Sequence, residues 1–219
     1  MTKTRIKILN YWLSGNKNNV TFTELLHLFF DKSYHSKASE LIKDIQKKDG
    51  YYLVYFKGFS NPLYYPYQFS IKSLEQVTVE SFYPKNWHYY EIPQTKVTKG
   101  DVVVDCRAAE DLFSYIIANR CKQVYAIEPV KKFIDSLKLT FSKNNNVEII
   151  EKAIADKNNK LFISNQGISS FLSKENIGDE VEVTTLDNLF FEQNIPISYI
   201  KMDLEGFDYL ALQGGETYQ

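Results

Sequence analysis

A chain of 219 residues with 44% hydrophobic side chains is long enough to bury a sizeable core, as one larger domain or as one domain with a small addition. Its formal net charge of −1 argues against a general polyanion binder, and its two cysteines read as core thiols of a reducing compartment rather than as a disulfide framework. No long apolar run is present, so no membrane span is expected; the amino terminus MTKTRIKIL lacks a signal-peptide core and cleavage site, and a cytoplasmic location is the expectation.

In chain order, residues 5–13 read as a short amphipathic helix stopped by Ser14-Gly15-Asn16. Thr21 and Glu24 are the first and fourth positions of a capping box ahead of Leu25, Leu26, Leu28, Phe29 and Phe30, so a second helix starts there. A third is expected from about Ser36, with Ala38, Leu41, Ile42 and Ile45 on one face. It would end in Lys47-Lys48-Asp49-Gly50, cations and a glycine where a helix terminus favours them. Residues 1–60 are therefore expected to form a small helical N-terminal region. Three short helices before a strand also open winged-helix domains, and nine Lys and Arg against five Asp and Glu in the first fifty residues lean faintly that way. No Arg-rich recognition helix is visible, so these charges read as a solvated face and no nucleic-acid partner is expected.

Residues 51–56 have the aromatic and β-branched make-up of a strand, and Lys57-Gly58 that of a turn. From there to residue 99, aromatic, polar and proline residues alternate in a way that fits short strands and loops rather than helices. The aromatic content of 15% suggests rings available for stacking on a ligand. The cluster Asn86-Trp87-His88-Tyr89-Tyr90 is placed to cover the mouth of a crevice, or else to plug the open side of a sheet. His88, set among aromatics, is a candidate proton acceptor, against the plainer reading of a hydrogen-bonded packing residue. Residues 61–99 are thus an aromatic-rich lead-in to an α/β domain that occupies residues 61–219.

Residues 100–129, GDVVVDCRAAEDLFSYIIANRCKQVYAIEP, read as strand, tight turn, helix and strand: a βαβ unit. The first strand, residues 102–105, ends in Asp105, and the second, residues 123–127, is followed by Glu128. Residues 110–119 between them carry Leu112, Phe113, Ile116 and Ile117 at helical spacing. Such a unit gathers strand carboxyl ends and a helix amino end around one crevice suited to a polar or anionic ligand. An acid closing the second strand lies where it can accept hydrogen bonds from ribose hydroxyls. A nucleoside-containing cofactor is expected.

The alternation continues beyond Pro129. Phe133, Ile134, Leu137 and Phe141 describe a helix, Asn144-Asn145-Asn146 a break and residues 147–150 a strand. Lys152, Ala153 and Asp156 then lie past that strand's carboxyl end. Residues 161–172 and 181–185 read as further strands or a hairpin with a turn at residues 165–167, and residues 197–202 as an apolar strand closing on Asp203-Leu204-Glu205-Gly206. Asp187, in Leu186-Asp187-Asn188, reads as a helix cap in preference to a metal ligand, and no His/Cys spacing supports zinc, so no metal ligand is assigned and a divalent ion held by carboxylates stays open.

The ordered blocks VVVDC, VYAIEP, VTTLDNL and YIKMDLEGFDYLALQGG resemble the FkbM family of S-adenosylmethionine-dependent methyltransferases, from about residue 89 to the end of the chain. The resemblance implies a doubly wound, Rossmann-like α/β sheet and methyl transfer from S-adenosylmethionine to a hydroxyl, with a small-molecule acceptor such as a saccharide. It also implies roles residue by residue. The segment holding Asp105, Cys106, Arg107, Ala108, Glu110 and Asp111 would cradle the cofactor's amino-acid end. Glu128, followed by Pro129, would bind the ribose hydroxyls, and Ala153 would line the adenine. Asp203 would stand nearest the sulfonium and the incoming hydroxyl, and Glu205-Gly206 would turn the chain into the next helix.

Two features depart from the family pattern. The cofactor loop of the family reads roughly D-x-G-A-x-x-G, whereas Arg107 and Asp111 stand at the glycine positions here. Arg107 then either fills the ligand's space or swings out to pair with Asp111 or Glu110. The sequence also stops at Gln219, soon after the fourth sheet strand, so the sheet is expected to be incomplete at its C-terminus. That leaves residues 197–202 as an exposed edge where a partner chain would pair. The alternative function is a catalytically inactive or truncated methyltransferase-like module with a role in protein association. A nicotinamide dehydrogenase is disfavoured, because the glycine-rich fingerprint is missing.

Overall fold

Local signals at the amino end act largely as read. The computed structural model describes residues 3–86, 88–110, 112–163, 172–173, 178–204 and 206–218. Helix α1 (Lys3–Leu13) stops where Gly15 takes a φ of 99°. Helix α2 (Phe22–Phe30) opens on the expected capping box: Thr21 Oγ1 accepts from Glu24 N, and Thr21 N donates to Glu24 Oε2 at 2.7 Å.

The third helix differs from its expectation. Helix α3 (Tyr34–Leu41) starts at a Ser33 cap and ends at Leu41, and the residues assigned to its second half form strand β1 (Ile42–Lys48). This strand runs antiparallel to β2 (Tyr51–Phe56), with Lys48 opposite Tyr51. The reason lies in Asp49 and Gly50, whose φ values of 48° and 86° make the two-residue turn that matches the twist of paired strands. An Asp-Gly pair that could close a helix closes a hairpin here. Strand β3 (Leu63–Pro66) adds to β2, so this three-stranded antiparallel sheet continues across residue 60.

The second correction is helix α4 (Ile71–Phe82), in a stretch expected to hold only strands and loops. Its β-branched Val77, Thr78 and Val79 imitate a strand, but Ser70 Oγ accepts from Ser73 N at 3.0 Å, and Leu74, Thr78 and Val79 form one buried face. Burial of that face decides the conformation over intrinsic preference.

The central sheet is parallel throughout, in the order β11-β4-β5-β6: β4 (Val102–Cys106), β5 (Gln123–Ile127), β6 (Val147–Ile150) and β11 (Tyr199–Met202). Helices α5 (Leu112–Ile117) and α6 (Lys131–Thr140) provide the crossovers, α5 being shorter than the spacing suggested. Every residue of β4 is buried, which is why its sequence is a β-branched run instead of an alternation. A second, mixed sheet has the order β7-β10-β8-β9 and comprises β7 (Ala153–Ile154), β8 (Asn159–Ile163), β9 (Leu172–Ser173) and β10 (Asp179–Thr184). The turn expected at residues 165–167 lies outside the described residues. Asp187 begins a five-residue helical turn, Asp187–Phe191, but does not cap it: Thr185 Oγ1 accepts from Asn188 N, while Asp187 Oδ2 accepts from Thr217 Oγ1 at 2.7 Å. Helix α7 (Asp208–Gln213) follows β11, which is an edge strand with Ile200 37% exposed.

One core cluster joins the lead-in to the parallel sheet. Val54, Phe56, Leu63, Tyr65 and Leu74 pack with Val103, Leu112, Ile117, Val124 and Leu137, each fully buried side chain contributing roughly 1.5–3 kcal/mol. Many of the chain's aromatic rings pack on one another. Phe56 stacks on Phe82 with centroids 5.1 Å apart, Phe59 on Tyr115 at 4.7 Å and Phe113 on Tyr199 at 5.8 Å.

Candidate functional site

The carboxyl ends of β4 and β11 meet at a buried ion pair. Lys201, in the middle of β11, places Nζ 3.0 Å from Asp105 Oδ1 and donates to the carbonyl oxygen of Arg107, also at 3.0 Å. The second oxygen of Asp105 accepts from Ser114 Oγ at 2.8 Å. Burial works against the Lys201 ammonium, but the Asp105 and Asp203 carboxylates outweigh it and lift its pKa above the ordinary lysine value. Lys201 Nζ also lies 5.3 Å from the centroid of the Tyr90 ring. The Tyr90 hydroxyl donates to Asp203 Oδ2 at 2.9 Å, and burial, followed by the Asp203 charge, pushes its pKa up.

The loop after β4 keeps the backbone course that glycine would take. Arg107 has φ 67° and Ala109 φ 39°, two non-glycine residues in the left-handed region within three positions, at a cost of roughly 1–2 kcal/mol each. Hydrogen bonds hold the strained loop: the N–H groups of Arg107 and Ala108 both donate to Ile127 O, at 2.9 and 3.0 Å. The Arg107 guanidinium donates to Asp203 O at 3.3 Å. Glu128 clasps the loop from below, its carboxylate accepting from Ala109 N at 2.9 Å and from Val130 N at 2.8 Å. Only 1% of Glu128 is exposed, and burial, partly offset by those two N–H bonds, raises its pKa to about 7.

Above this edge is a cavity of about 240 Å³. One wall consists of Arg107, Ala108, Glu110, Lys201 and Asp203; the other of Gln76, Val77, Glu80 and Ser81 from α4, together with His88 and Tyr90. Burial raises the Glu110 pKa, with Arg107 and Lys201 opposing it. The volume is below the roughly 300–1,000 Å³ of drug-sized ligand sites, so the cavity takes a small ligand or one end of a larger one.

Of the residues singled out in the sequence, Asp203, His88, Arg107, Ala108 and Glu110 come together on this cavity. Asp105 and Cys106 are fully buried beneath it, the Cys106 thiol pushed up to about 12 by burial. Glu128 is enclosed by its backbone partners, with Pro129 half-buried beside it. Ala153 packs with Ala155, Leu161 and Val183 in the second sheet. Trp87, Asp111 and Glu205 lie outside the described residues. Tyr90, in the aromatic cluster expected to stack, reaches the site with its hydroxyl. Lys201 is absent from the sequence expectation, although a lysine in the middle of an apolar strand signals a buried, paired cation. Among the described residues no group of three His, Cys, Asp or Glu side chains could hold a metal ion, and no helix is long and apolar enough to cross a membrane.

The residues fit S-adenosylmethionine in kind and in order along the sheet edge. Asp203 and Glu110 place carboxylates on the cavity wall, and the loop backbone follows the glycine path. Another acid, Glu128, stands at the end of the neighbouring strand, where a ribose would need it. One of its oxygens accepts from Ala109 N of the loop and the other from Val130 N at the start of α6, so ribose hydroxyls would share the carboxylate with these two N–H groups or displace them.

A parallel sheet in the order β11-β4-β5-β6, with helical crossovers and a polar cavity at its carboxyl edge, defines a Rossmann-like α/β protein. Residues 98–218, more than half of the chain, match the methyltransferase FkbM domain, and the chain belongs to that family. Among solved structures it is similar to the methyltransferase FkbM from Methylobacillus flagellatus KT, with 17% identity, TM-score 0.44, and coverage of 59% of this chain and 32% of that one. It is also similar to Trm5b from Pyrococcus abyssi, with 21% identity, TM-score 0.26, and coverage of 51% and 30%. A third similar structure is M. jannaschii TYW2 in complex with AdoMet, with 23% identity, TM-score 0.28, and coverage of 48% and 41%. The chain thus spans less than half the length of each of these structures. No curated protein matches it.

Proposed function

We propose that this chain carries an S-adenosylmethionine-dependent O-methyltransferase domain of FkbM type that acts on a hydroxyl of a saccharide or related small molecule. The observation that carries the reading is the FkbM domain match over residues 98–218, which includes Asp203 on the cavity wall. Bound S-adenosylmethionine supplies a methyl already activated by its sulfonium, so the chain's own work is alignment, exclusion of water and removal of one proton. Asp203 accepts the acceptor hydroxyl's proton, and the hydrogen bond from Tyr90 fixes its carboxylate. His88, on the same cavity, is the second candidate for that proton. Asp105 and Cys106 support the loop from beneath, Arg107, Ala108 and Glu110 border the amino-acid end, and Glu128, Pro129 and Ala153 serve the nucleoside end. Residues 1–60 form an accessory region that supports the lead-in.

A second reading, a methyltransferase-like module without cofactor, is favoured by one observation, the engagement of both Glu128 oxygens by Ala109 and Val130. Calorimetric titration with S-adenosylmethionine separates the two. Saturable binding by the wild type, tightened in Arg107→Gly where the strained αL position is relaxed, is the expected result. Binding by Arg107→Gly alone would favour the module reading, and silence from both proteins would dismiss the cofactor.

A further inference from the structure

The cavity has two walls of different origin. Arg107, Ala108, Glu110, Leu112, Lys201 and Asp203 lie within residues 98–218, the part matched to the family, whereas Gln76, Val77, Glu80, Ser81, His88 and Tyr90 all precede it. Helix α4 is fixed by its Ser70 cap and by the burial of Leu74, Thr78 and Val79. This packing turns Gln76, Val77, Glu80 and Ser81, one and four positions apart, toward the cavity. Gln76 Nε2 donates to Glu80 Oε1 at 3.0 Å, which orients the carboxylate and leaves Oε2 to accept from a ligand. Tyr90, on the same wall, ties the lead-in to the site through its hydrogen bond to Asp203.

We infer that α4 and Tyr90 form the acceptor-binding wall of this site, and that Glu80 selects an acceptor bearing several hydroxyls. The inference rests on the proposed methyltransferase reading and deepens it. Glu80, Gln76 and Ser81 offer hydrogen-bonding groups on this wall, and Val77 is the only apolar side chain that α4 contributes among the cavity's described residues. A hydrocarbon chain laid along this wall would strip those groups of water without replacing their hydrogen bonds; a polyol replaces them. A carboxylate accepting from two neighbouring hydroxyls recognises a polyol with charge-assisted bonds. Because the wall lies outside the family-wide portion, acceptor choice resides in the lead-in and cofactor binding in the remainder.

Saturation-transfer NMR on the full chain tests this, with methyl α-D-glucopyranoside and 1-octanol as probes, beside calorimetry with S-adenosylmethionine. The glucoside is expected to receive saturation from the wild type and octanol is not. Glu80→Leu should weaken glucoside binding about fivefold or more, the equivalent of one hydrogen bond, while Glu80→Gln, which keeps an acceptor oxygen, loses less. The cofactor's affinity should stay within about twofold across these variants, since Glu80 stands on the opposite wall. Octanol binding in preference to the glucoside, or equal glucoside binding by wild type and Glu80→Leu, overturns the inference even where the cofactor binds. Glu80-dependent glucoside binding by a protein that never binds the cofactor upholds the wall and overturns the methyltransferase reading instead.

Discussion

At the scale of single residues, the site is governed by how each carboxylate is satisfied. Asp105 is neutralised by Lys201, Asp203 is held by Tyr90, and Glu128 is held by two backbone N–H groups. Burial raises the Glu128 pKa from 4.5 to about 7, against the two N–H bonds and the Arg107 charge. Below pH 4.5 the carboxyl is protonated in both folded and unfolded chains. Between pH 4.5 and 7 the unfolded chain ionises while the folded one still holds its proton, so this group's contribution to stability is lost as pH rises, and above 7 the loss is complete. The loss is on the order of 3 kcal/mol. Glu128→Gln cannot titrate. Urea denaturation at pH 4.5 and pH 8 should therefore show the variant gaining on the wild type by that order as pH rises, and a pH-independent difference would refute the assignment.

At the scale of elements, the misread segments were those where one local signal serves two structures. Asp49-Gly50 closes either a helix or a hairpin, and Val77-Thr78-Val79 suits a strand by composition and a helix by the position of its buried face. Pairing with β2 and packing on α3 and α5 resolved each case, and neither partner is visible in a local window. Gly50, at φ 86° with open space around it, makes the hairpin's register testable. Gly50→Ala meets no neighbour and suffers only backbone strain, about 1 kcal/mol. Thermal denaturation should register that loss, and an unchanged midpoint would mean that the turn does not hold this geometry. The capping box at Thr21 was legible because all of its partners lie within four residues.

At the scale of the whole molecule, the last helix ties the two large sheets together. A Cβ on Gly214 would lie 2.2 Å from the carbonyl oxygen of Ala155, beyond β7, and the Gly214 carbonyl accepts from Asp187 N at 2.9 Å. Gly214→Ala must push backbone against backbone and should cost about 1–3 kcal/mol, as overpacking does. A urea midpoint equal to that of the wild type would show that the close approach does not exist in solution.

The amino-acid sequence by itself determined the succession of strand and helix units after residue 100, the acids that close three of the strands, and the family to which the chain belongs. Periodicity and strand-end chemistry are local, and the chain expresses them wherever it is placed. The tertiary structure alone decided which of these acids line the cavity. Asp203 stands on the cavity, while Asp105 and Glu128 are spent on internal partners. It also brought α4 to the site as a second wall. These outcomes rest on contacts such as that of Tyr90 with Asp203, 113 residues apart, and a carboxylate's partner at that distance is set by packing, which no local pattern encodes.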